Sequence, residues 1–231
     1  MNIRILQYNV QKSKDKVMIP VLEGPHEPYD IIAIQEPWPS RVGSTYCPRG
    51  CQYNLVFPRQ GGARVCLYIN KRIPVSSWRV IKNEADYLQV QFELTDGLFT
   101  IHNVYSQTPE THRTVEWNTP LPRLLQAIEE PGQHLLVGDF NLHHPLWGGE
   151  RVRRAHAAAE PLARLALAGR LDLLTDPGTV TRERHGNEPS TLDLGFATPN
   201  LAGKVLSHRV VNCFLESDHK LIETIIRQRL P

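Results

Sequence analysis

The chain has 231 residues, of which 41% are hydrophobic and 22% are charged. This composition is that of a folded globular protein and excludes disordered and collagen-like classes. No apolar run approaches the ~20 residues that a membrane span requires, and no signal peptide is visible at the start. The net charge of +2 does not by itself indicate nucleic acid, although 19 of the 26 basic residues are Arg, which suits bidentate phosphate contacts.

The four cysteines are too few and too scattered for the disulfide framework of a small secreted protein. They are Cys47, Cys51, Cys66 and Cys213. Cys47 and Cys51 flank a Pro-Arg-Gly sequence, and no further zinc ligands stand at a sensible spacing nearby. We therefore expect four free thiols in a reducing compartment, with a pairing of Cys47 and Cys51 as the alternative.

Short apolar runs rich in β-branched and aromatic residues predict many strands. These runs cover residues 3–8, 30–35, 63–70, 86–94, 98–105, 134–137, 192–197, 205–212 and 221–227. Thr95, Asp96 and Gly97 predict a hairpin turn between the fourth and fifth runs. The run at 30–35 has no polar alternation, which is typical of a strand covered on both faces.

Helical spacing of apolar residues predicts three helices, over residues 13–22, 120–130 and 150–168. Ser13 is expected to cap the first helix, and Pro161 is expected to kink the third or divide it in two. Strands outnumber helices, so we expect an α/β protein in which two packed sheets are covered by helices. No linker or repeat divides the sequence, which predicts one domain over residues 1–231.

Acidic and polar side chains stand at the ends of these predicted strands. They are Glu36, Asp139, Asp193, Asp218, Asn9, Asn141, Tyr105 and His219. Each alone has an ordinary explanation, such as an exposed turn for Glu36 or an Asx turn for Asp139. Together they indicate one pocket, in which a divalent cation would offset the cost of burying carboxylates. The oxygens of Glu36, Asp218 and Asn9 suit Mg²⁺ or Mn²⁺ rather than zinc.

The remaining residues of this set indicate which type of reaction the pocket could catalyse. A carboxylate beside an amide, as in Asp139 and Asn141, can orient and deprotonate a water molecule. A histidine steadied by a carboxylate, as in His219 and Asp193, can stabilise developing negative charge. Metal, water and a cationic donor are typical of attack on a phosphoester. The sequence contains no P-loop motif, which disfavours nucleotide-driven phosphoryl transfer, and no GxSxG motif, which disfavours a serine hydrolase.

Six short motifs carry a family resemblance. They are QYNV at 7–10, QEP at 35–37, NVY at 103–105, GDFN at 138–141, STLDL at 190–194 and SDH at 217–219. In this order they resemble the successive motifs of the endonuclease/exonuclease/phosphatase superfamily, which has the deoxyribonuclease I-like fold. Residues 138–148 and 190–194 are most similar to the endonuclease domain of LINE-type non-LTR retrotransposons. The resemblance implies a four-layered α/β/β/α sandwich of two mostly antiparallel sheets flanked by helices.

The resemblance also implies a metal site. Glu36 would be the principal ligand, with Asn9 and Asp218 near the metal and the scissile phosphate. The implied cofactor is Mg²⁺, for which Mn²⁺ would substitute. Gln11 stands where the apurinic repair endonucleases of the superfamily carry a second acid, which makes abasic-site repair a poorer expectation.

Catalytic roles are implied for five further positions. Asp139 would activate the attacking water, and Asn141 would orient that water or hold the phosphate. Tyr105 would contact a phosphate oxygen. Asp193 would pair with His219, which would stabilise the pentacovalent transition state.

Four residues are expected to contact DNA. By resemblance, Thr181 would lie near the duplex. Arg182 and Arg184 belong to a predicted hairpin over residues 181–190 that either enters a groove of DNA or is only a solvated turn. Arg151 opens the third predicted helix, where its charge opposes the helix dipole, and it either contacts phosphate or lies on a solvated face.

We therefore expect a Mg²⁺-dependent endonuclease that nicks one strand of double-stranded DNA and leaves a 3′-hydroxyl that primes reverse transcription. By resemblance it would be fused to a reverse transcriptase in a longer polyprotein and would act inside the cell on nuclear DNA, without a membrane. One alternative is another phosphoesterase of the same fold, acting on RNA, lipid or inositol phosphate. The other is a degenerate, non-catalytic module that binds DNA or protein.

Overall fold

The computed structural model describes residues 2–24, 29–59, 62–107, 120–211 and 215–228, which form two six-stranded sheets. The first sheet contains, in spatial order, β11 (Val205–Val211), β12 (Leu221–Arg227), β1 (Asn2–Asn9), β2 (Ile31–Gln35), β4 (Val65–Asn70) and β3 (Tyr53–Val56). The second contains β5 (Trp78–Glu84), β6 (Tyr87–Leu94), β7 (Gly97–Tyr105), β8 (Gln133–Asp139), β10 (Asp193–Ala197) and β9 (Asp172–Leu173). Only β1–β2 and β7–β8 are parallel among the pairs formed by these residues.

The helices are short and lie outside the sheets. They are α1 (Ile19–Glu23), α2 (Leu121–Ala127), α3 (Pro145–Gly148), α4 (Glu160–Leu167) and α5 (Pro199–Ala202). Apolar side chains of α1 and of the π-helical turn before it pack on the outer face of the first sheet. Those of α2 and α4 pack on the outer face of the second sheet. This arrangement confirms the predicted α/β sandwich.

The largest cluster of buried apolar side chains fills the space between the sheets. Ile5 and Leu67 of the first sheet belong to it together with Val90, Ile101 and Val137 of the second. All five are fully buried. The apolar runs of the central strands thus face a core on both sides, which explains why those strands lack polar alternation.

The predicted third helix is wrong in its first half. Residues 150–168 contain a 3₁₀ turn at Gly149–Arg151, another at Ala157–Ala159, and only then α4. Pro161 stands in the first turn of α4, where its missing N–H costs nothing, so it marks a break in the segment, as one alternative expected, and does not kink a helix. Arg151 consequently lies on a short turn and not at the start of a long helix.

Two other expectations need correction. The first helix begins as a π-helical turn, Lys14–Met18, and Ser13 precedes it without a side-chain cap. Pro20 has no N–H for the regular helical bond, which accounts for the wider turn. The short strands β3, β5 and β9 were not expected. β5 is a largely exposed edge strand, so its residues show no apolar alternation.

Cys47, Cys51 and Cys66 are free thiols, as expected, and Cys213 lies outside the described residues. In the described part of the chain, no helix combines the length and the apolar character that crossing a membrane needs.

A chain of hydrogen bonds runs through the outer face of the second sheet. The Tyr87 hydroxyl lies 2.8 Å from Nδ1 of His102, and Nε2 of His102 lies 2.9 Å from Nδ1 of His134. Nε2 of His134 lies 2.9 Å from the backbone oxygen of Glu130. Both rings are buried, and burial lowers their pKa values below the ordinary 6.5. Each imidazole is therefore neutral in the folded protein, with one nitrogen donating and the other accepting.

These neutral histidines predict acid sensitivity. As pH falls through 6.5 the unfolded chain binds protons that the folded chain excludes, so the free energy of unfolding decreases by ~1.4 kcal/mol for each unit of pKa separation. Urea unfolding at pH 7.5, 6.5 and 5.5 measures this loss. A His102→Gln variant should be less stable at pH 7.5 but lose less stability on acidification. An unchanged pH dependence in that variant would contradict the assignment.

Gly138 allows the central strands of the second sheet to approach each other. It lies opposite Val104 of β7, with φ +152°. A Cβ atom at this position would lie 2.0 Å from the backbone oxygen of Val104. The contact is with backbone, which cannot rotate away, so only glycine fits immediately before Asp139.

Gly138→Ala should therefore lower the free energy of unfolding by more than ~3 kcal/mol, because it forces the parallel pair apart. The matched control is Gly97→Ala, where φ is also positive at +108° but no atom lies within 4 Å of the added Cβ. That control carries backbone strain alone, of order 1–3 kcal/mol. Equal destabilisation of the two variants in urea melts would show that the contact with Val104 is unimportant.

Candidate active site

The polar side chains at the ends of the strands lie at one edge of the sandwich. Parallel neighbours end at the same edge, so Asn9 is level with Gln35, and Tyr105 is level with Asp139. Asp193 opens the antiparallel strand β10 directly opposite Asp139. The segment before β12 reaches this edge as well, because β12 runs antiparallel to β1. The topology thus brings all eight candidate catalytic and metal-binding residues to one edge.

Buried amides join the two sheets beneath this edge. Nε2 of Gln7 donates to the backbone oxygen of Gly138 at 2.9 Å. Nε2 of Gln35 donates to Oδ1 of Asn103 at 2.6 Å, and Nδ2 of Asn103 donates to backbone oxygens of β2 and β4 at 3.0 and 2.8 Å. The role of these amides was not expected from the sequence. Their signal was an amide inside an otherwise apolar strand, which needs a buried partner.

Four buried side chains form a continuous polar line across the site. Nδ2 of Asn9 donates to Oδ2 of Asp139 at 2.9 Å. The same oxygen lies 3.9 Å from Nε2 of His219. Nδ1 of His219 lies 2.8 and 3.0 Å from the two carboxylate oxygens of Asp193 and donates to them, since a carboxylate only accepts. His219 is thereby placed between two carboxylates.

The charges of this line are set by burial and by one another. Burial disfavours the imidazolium form of His219, but Asp193 and then Asp139 outweigh it and raise the pKa of His219 to about 9. Burial, followed by repulsion from Asp193, raises the pKa of Asp139 well above its usual range, although His219 and the hydrogen bond from Asn9 oppose this. At neutral pH the site therefore holds a protonated imidazole beside a carboxylate of unusually high proton affinity.

Asn141 secures the carboxylate of Asp139. Its backbone is left-handed, with φ +49°, which brings its N–H to within 3.1 Å of Oδ1 of Asp139. Nδ2 of Asn141 donates to the backbone oxygen of Ser106 at 2.8 Å. The Ser106 N–H in turn donates to the backbone oxygen of Asp139 at 2.8 Å. Both side-chain oxygens of Asp139 are thus hydrogen-bonded, one by Asn9 and the other by Asn141.

Glu36 stands immediately after β2 in a strained backbone conformation, with φ +46°. Its N–H donates to the backbone oxygen of Arg64, and its own backbone oxygen accepts from Lys12, both at 2.7 Å. Its carboxylate is 19% exposed and lies 3.8 Å from Nζ of Lys12. Glu36 therefore presents a partly open carboxylate at the edge, fixed by main-chain bonds on both sides.

Tyr105 ends β7 and is 8% exposed. Burial raises its pKa strongly, and the negative charges of Glu36 and Asp139 raise it further. Those two carboxylates therefore act on the same phenol from the two sheets. Arg64 lies over the ring, with its guanidinium carbon 5.3 Å from the ring centroid. The hydroxyl stays protonated at neutral pH and remains a hydrogen-bond donor.

Asp218 is held at the edge by its neighbours. The Asp218 N–H donates to Oε1 of Gln11 at 3.0 Å. The Ser217 hydroxyl donates to the backbone oxygen of Asn9 at 2.7 Å and accepts from the His219 N–H at 3.2 Å. The Asp218 carboxylate is about one-third exposed and lies 3.8 Å from Nε of Arg184. Sequence analysis did not identify Ser217 or Gln11 as positioning residues.

The predicted hairpin over 181–190 forms and is rooted at the site. Arg182 exchanges backbone hydrogen bonds with Ser190. Its backbone also forms an isolated antiparallel β-bridge with His219. Thr181, expected near DNA, is instead fully buried. Its hydroxyl accepts backbone N–H groups of Leu192 and Asp193 at 2.9 and 3.0 Å, so its visible role is to support the start of β10.

The expected basic residues border grooves beside this hairpin. Arg182 and Arg184 line a groove of about 240 Å³. Arg151 lines an adjoining groove of about 330 Å³ that shares His143 and Glu188 with the first. Arg184 is exposed, and Arg151 is exposed and bonded to the backbone oxygen of Gly178. Both grooves are lined in part by residues of the hairpin.

Two groups of residues at this edge have the chemistry to hold a cation. One is the oxygen set expected from sequence, Glu36, Asn9 and Asp218. The other consists of Asp139, Asp193 and His219, whose potential ligand atoms all lie within 4.8 Å of one another. In the second group Nδ1 of His219 is already bonded to Asp193, which leaves only Nε2 of that ring to face a cation.

Several solved structures share this architecture. The endonuclease domain of TRAS1, a telomere-specific non-LTR retrotransposon, has a TM-score of 0.72 at 19% identity, over 98% of this chain and 99% of that one. An AP endonuclease from Leishmania major has a TM-score of 0.69 at 12% identity, over 99% and 88% of the two chains. A 3′ phosphatase from Neisseria has a TM-score of 0.68 at 14% identity, over 97% and 99%. These likenesses establish the deoxyribonuclease I-like fold.

No curated protein matches the sequence. The model of the endonuclease-reverse transcriptase family matches residues 99–223, more than half of the chain. The matched segment runs from β7 to β12 and includes Tyr105, Asp139, Asn141, Asp193 and His219. The sequence motifs, the two-sheet sandwich and this match agree, and the chain belongs to the endonuclease-reverse transcriptase family within the endonuclease/exonuclease/phosphatase superfamily.

Proposed function

We propose that the protein is a Mg²⁺-dependent endonuclease that nicks one strand of double-stranded DNA. The observation that carries this proposal is the buried line of Asn9, Asp139, His219 and Asp193 at the edge where the strands end. A carboxylate of high proton affinity beside a protonated imidazole supplies a base and a cationic donor within 4 Å. Hydrolysis of a phosphodiester needs both, one for the attacking water and one for the charge that develops on phosphate.

The donor set at the edge fits a hard divalent cation. Glu36 and Asp218 offer partly exposed carboxylates at this edge, and Asn9 would add an amide oxygen, which are ligand types that Mg²⁺ prefers. We assign the metal to Glu36, Asn9 and Asp218 rather than to Asp139, Asp193 and His219, because Nδ1 of His219 is already bonded to Asp193, whereas the carboxylates of Glu36 and Asp218 are partly exposed. Mg²⁺ bound there, or Mn²⁺ in its place, would polarise the phosphoester and offset its negative charge.

Residues of the chain would then have separate catalytic roles. Asp139, held by Asn9 and Asn141, would take the proton of the attacking water. His219, kept cationic and oriented by Asp193, would donate a hydrogen bond to a non-bridging oxygen as charge accumulates. Tyr105 keeps its hydroxyl proton and would donate to a second phosphate oxygen.

Duplex DNA is the substrate that the surface beside the site favours. The hairpin over 181–190 stands against His219 through Arg182, and the grooves next to it carry Arg184 and Arg151. Contacts of these cations with phosphates would position the duplex, while the shape and flexibility of DNA bias the site of nicking. Thr181 would act indirectly, by holding the root of the hairpin.

The proposed biological role is to prepare a primer. Attack by water that expels the 3′ oxygen leaves a free 3′-hydroxyl, which a polymerase can extend. The endonuclease-reverse transcriptase family supports fusion to a reverse transcriptase. Nuclear DNA inside the cell would then be the target.

Plasmid nicking tests the proposal. With Mg²⁺, wild-type protein should convert supercoiled plasmid to nicked circles, and DNA polymerase should extend the ends. Asp139→Ala and His219→Ala should each lower the rate by ~10³-fold or more, because each removes a base or a transition-state donor. Asp172→Ala is the matched control, since this exposed Asp lies on β9, beside the end of β10 that is farther from the site.

Equal nicking by all variants would locate the activity outside this site. No nicking by wild type, combined with hydrolysis of abasic DNA, RNA or an inositol phosphate, would assign the protein to another phosphoesterase class. Binding of duplex without any hydrolysis would indicate a non-catalytic relative.

A further inference from the structure

Arg64 links the two halves of the site through its main chain. It lies just before β4, at the edge where the active site stands. Its backbone oxygen accepts the N–H of Glu36, and its own N–H donates to the backbone oxygen of Ala85, both at 2.7 Å. Ala85 belongs to the turn between β5 and β6 of the second sheet. The position of Glu36 in the first sheet is thus tied through Arg64 to the second sheet.

The side chain of Arg64 lies between two residues of the second sheet. Its guanidinium carbon stands 5.3 Å from the centroid of the Tyr105 ring. Nε of Arg64 lies 3.8 Å from Oδ1 of Asp86. The backbone oxygen of Asp86 accepts the N–H of Tyr105 at 3.0 Å. The guanidinium is therefore held by an aromatic face on one side and a carboxylate on the other.

The neighbours of Arg64 leave N–H donors of its guanidinium available for a ligand. A guanidinium has five N–H donors, and the ion pair with Asp86 is long for a hydrogen bond. The side chain is 34% exposed, whereas that of Asp86 is 12% exposed, so the cation faces outward from its partner. Because ring and carboxylate already restrict it, the guanidinium loses less conformational entropy when it binds a ligand.

We propose that Arg64 binds a phosphate of the DNA strand beside the scissile bond. The inference rests on the proposed function, because it requires a phosphodiester substrate at this edge. Arg64 contacts Glu36, proposed to hold the metal, through its main chain, and its guanidinium lies over the ring of Tyr105, proposed to contact the scissile phosphate. A forked donor at that point would fix the strand as it enters, and Asp86 and Tyr105 would act as its positioning residues.

The salt dependence of DNA binding separates this role from a structural one. Wild type, Arg64→Met and Arg64→Lys are titrated with a fluorescent duplex in EDTA, which prevents cleavage, at several salt concentrations. Arg64→Met should raise the Kd by ~10-fold and lower the slope of log K against log salt by about 1, because one phosphate contact is lost. Arg64→Lys should keep the slope but bind a few-fold more weakly, since Lys lacks the fork.

Lys71→Met is the matched control, because Lys71 follows the opposite end of the same strand and bonds the backbone oxygen of Cys51. It should bind DNA as wild type does. In plasmid nicking with Mg²⁺, Arg64→Met should act mainly through KM. Melting curves establish that each variant is folded, and Arg64→Gln replaces Arg64→Met if that variant unfolds.

The outcomes distinguish this inference from the proposed function. If wild type nicks plasmid and the neutral variant keeps the wild-type salt slope, Arg64 does not bind phosphate and only this inference is overturned. Loss of slope in Arg64→Lys as well would show that the packing of the side chain matters and not its charge, which also overturns it. If wild type neither binds nor nicks duplex DNA, the proposed function fails and this inference fails with it.

Discussion

Hydrogen bonds between buried amides of the first sheet and groups of the second sheet hold the strand ends in register at the active edge. Gln7 reaches Gly138, Gln35 reaches Asn103, and Asn9 reaches Asp139. Each donor lies in a nearly dry interior, where an unmatched partner costs ~1–3 kcal/mol. A shift of one sheet against the other by one residue would break all three. The same bonds that align the sheets therefore set the distance between Asn9 and the carboxylate proposed as the base.

The two sheets share one plan and contribute differently to the site. In each, a central parallel pair is flanked on both sides by antiparallel strands, so that β1 and β2 in the first correspond to β7 and β8 in the second. The first sheet supplies the oxygens proposed to hold the metal, Asn9 and Glu36. The second supplies Tyr105 and Asp139, proposed to act on phosphate and water. Neither sheet alone could form the site, which explains why the polar residues are so far apart in the sequence.

The sequence was sufficient to predict the sandwich and the eight residues that meet at its edge. Polar side chains at the ends of apolar strands must lie at the edge of a sheet, because the interior offers them no polar partners. It was insufficient where local pattern and tertiary context diverge. The apolar spacing over 150–168 suggested a helix that Pro161 kinks or divides, yet its first half consists of separate 3₁₀ turns and proline starts α4. The burial of Thr181 depends on Leu192 and Asp193, which no local pattern reveals. The proposed role of Arg64 could not be predicted for the same reason, since it depends on Tyr105 and Asp86 of the other sheet.

The central claim is that metal and imidazole are separate functions: Glu36 is proposed to hold the cation, while His219 remains protonated through Asp193. Anomalous diffraction from crystals soaked in Mn²⁺ tests this most directly. The account predicts a manganese peak ~2 Å from a carboxylate oxygen of Glu36, with the bond from His219 to Asp193 intact. A peak bonded to Nε2 of His219 and a carboxylate oxygen of Asp139, with none at Glu36, would contradict it.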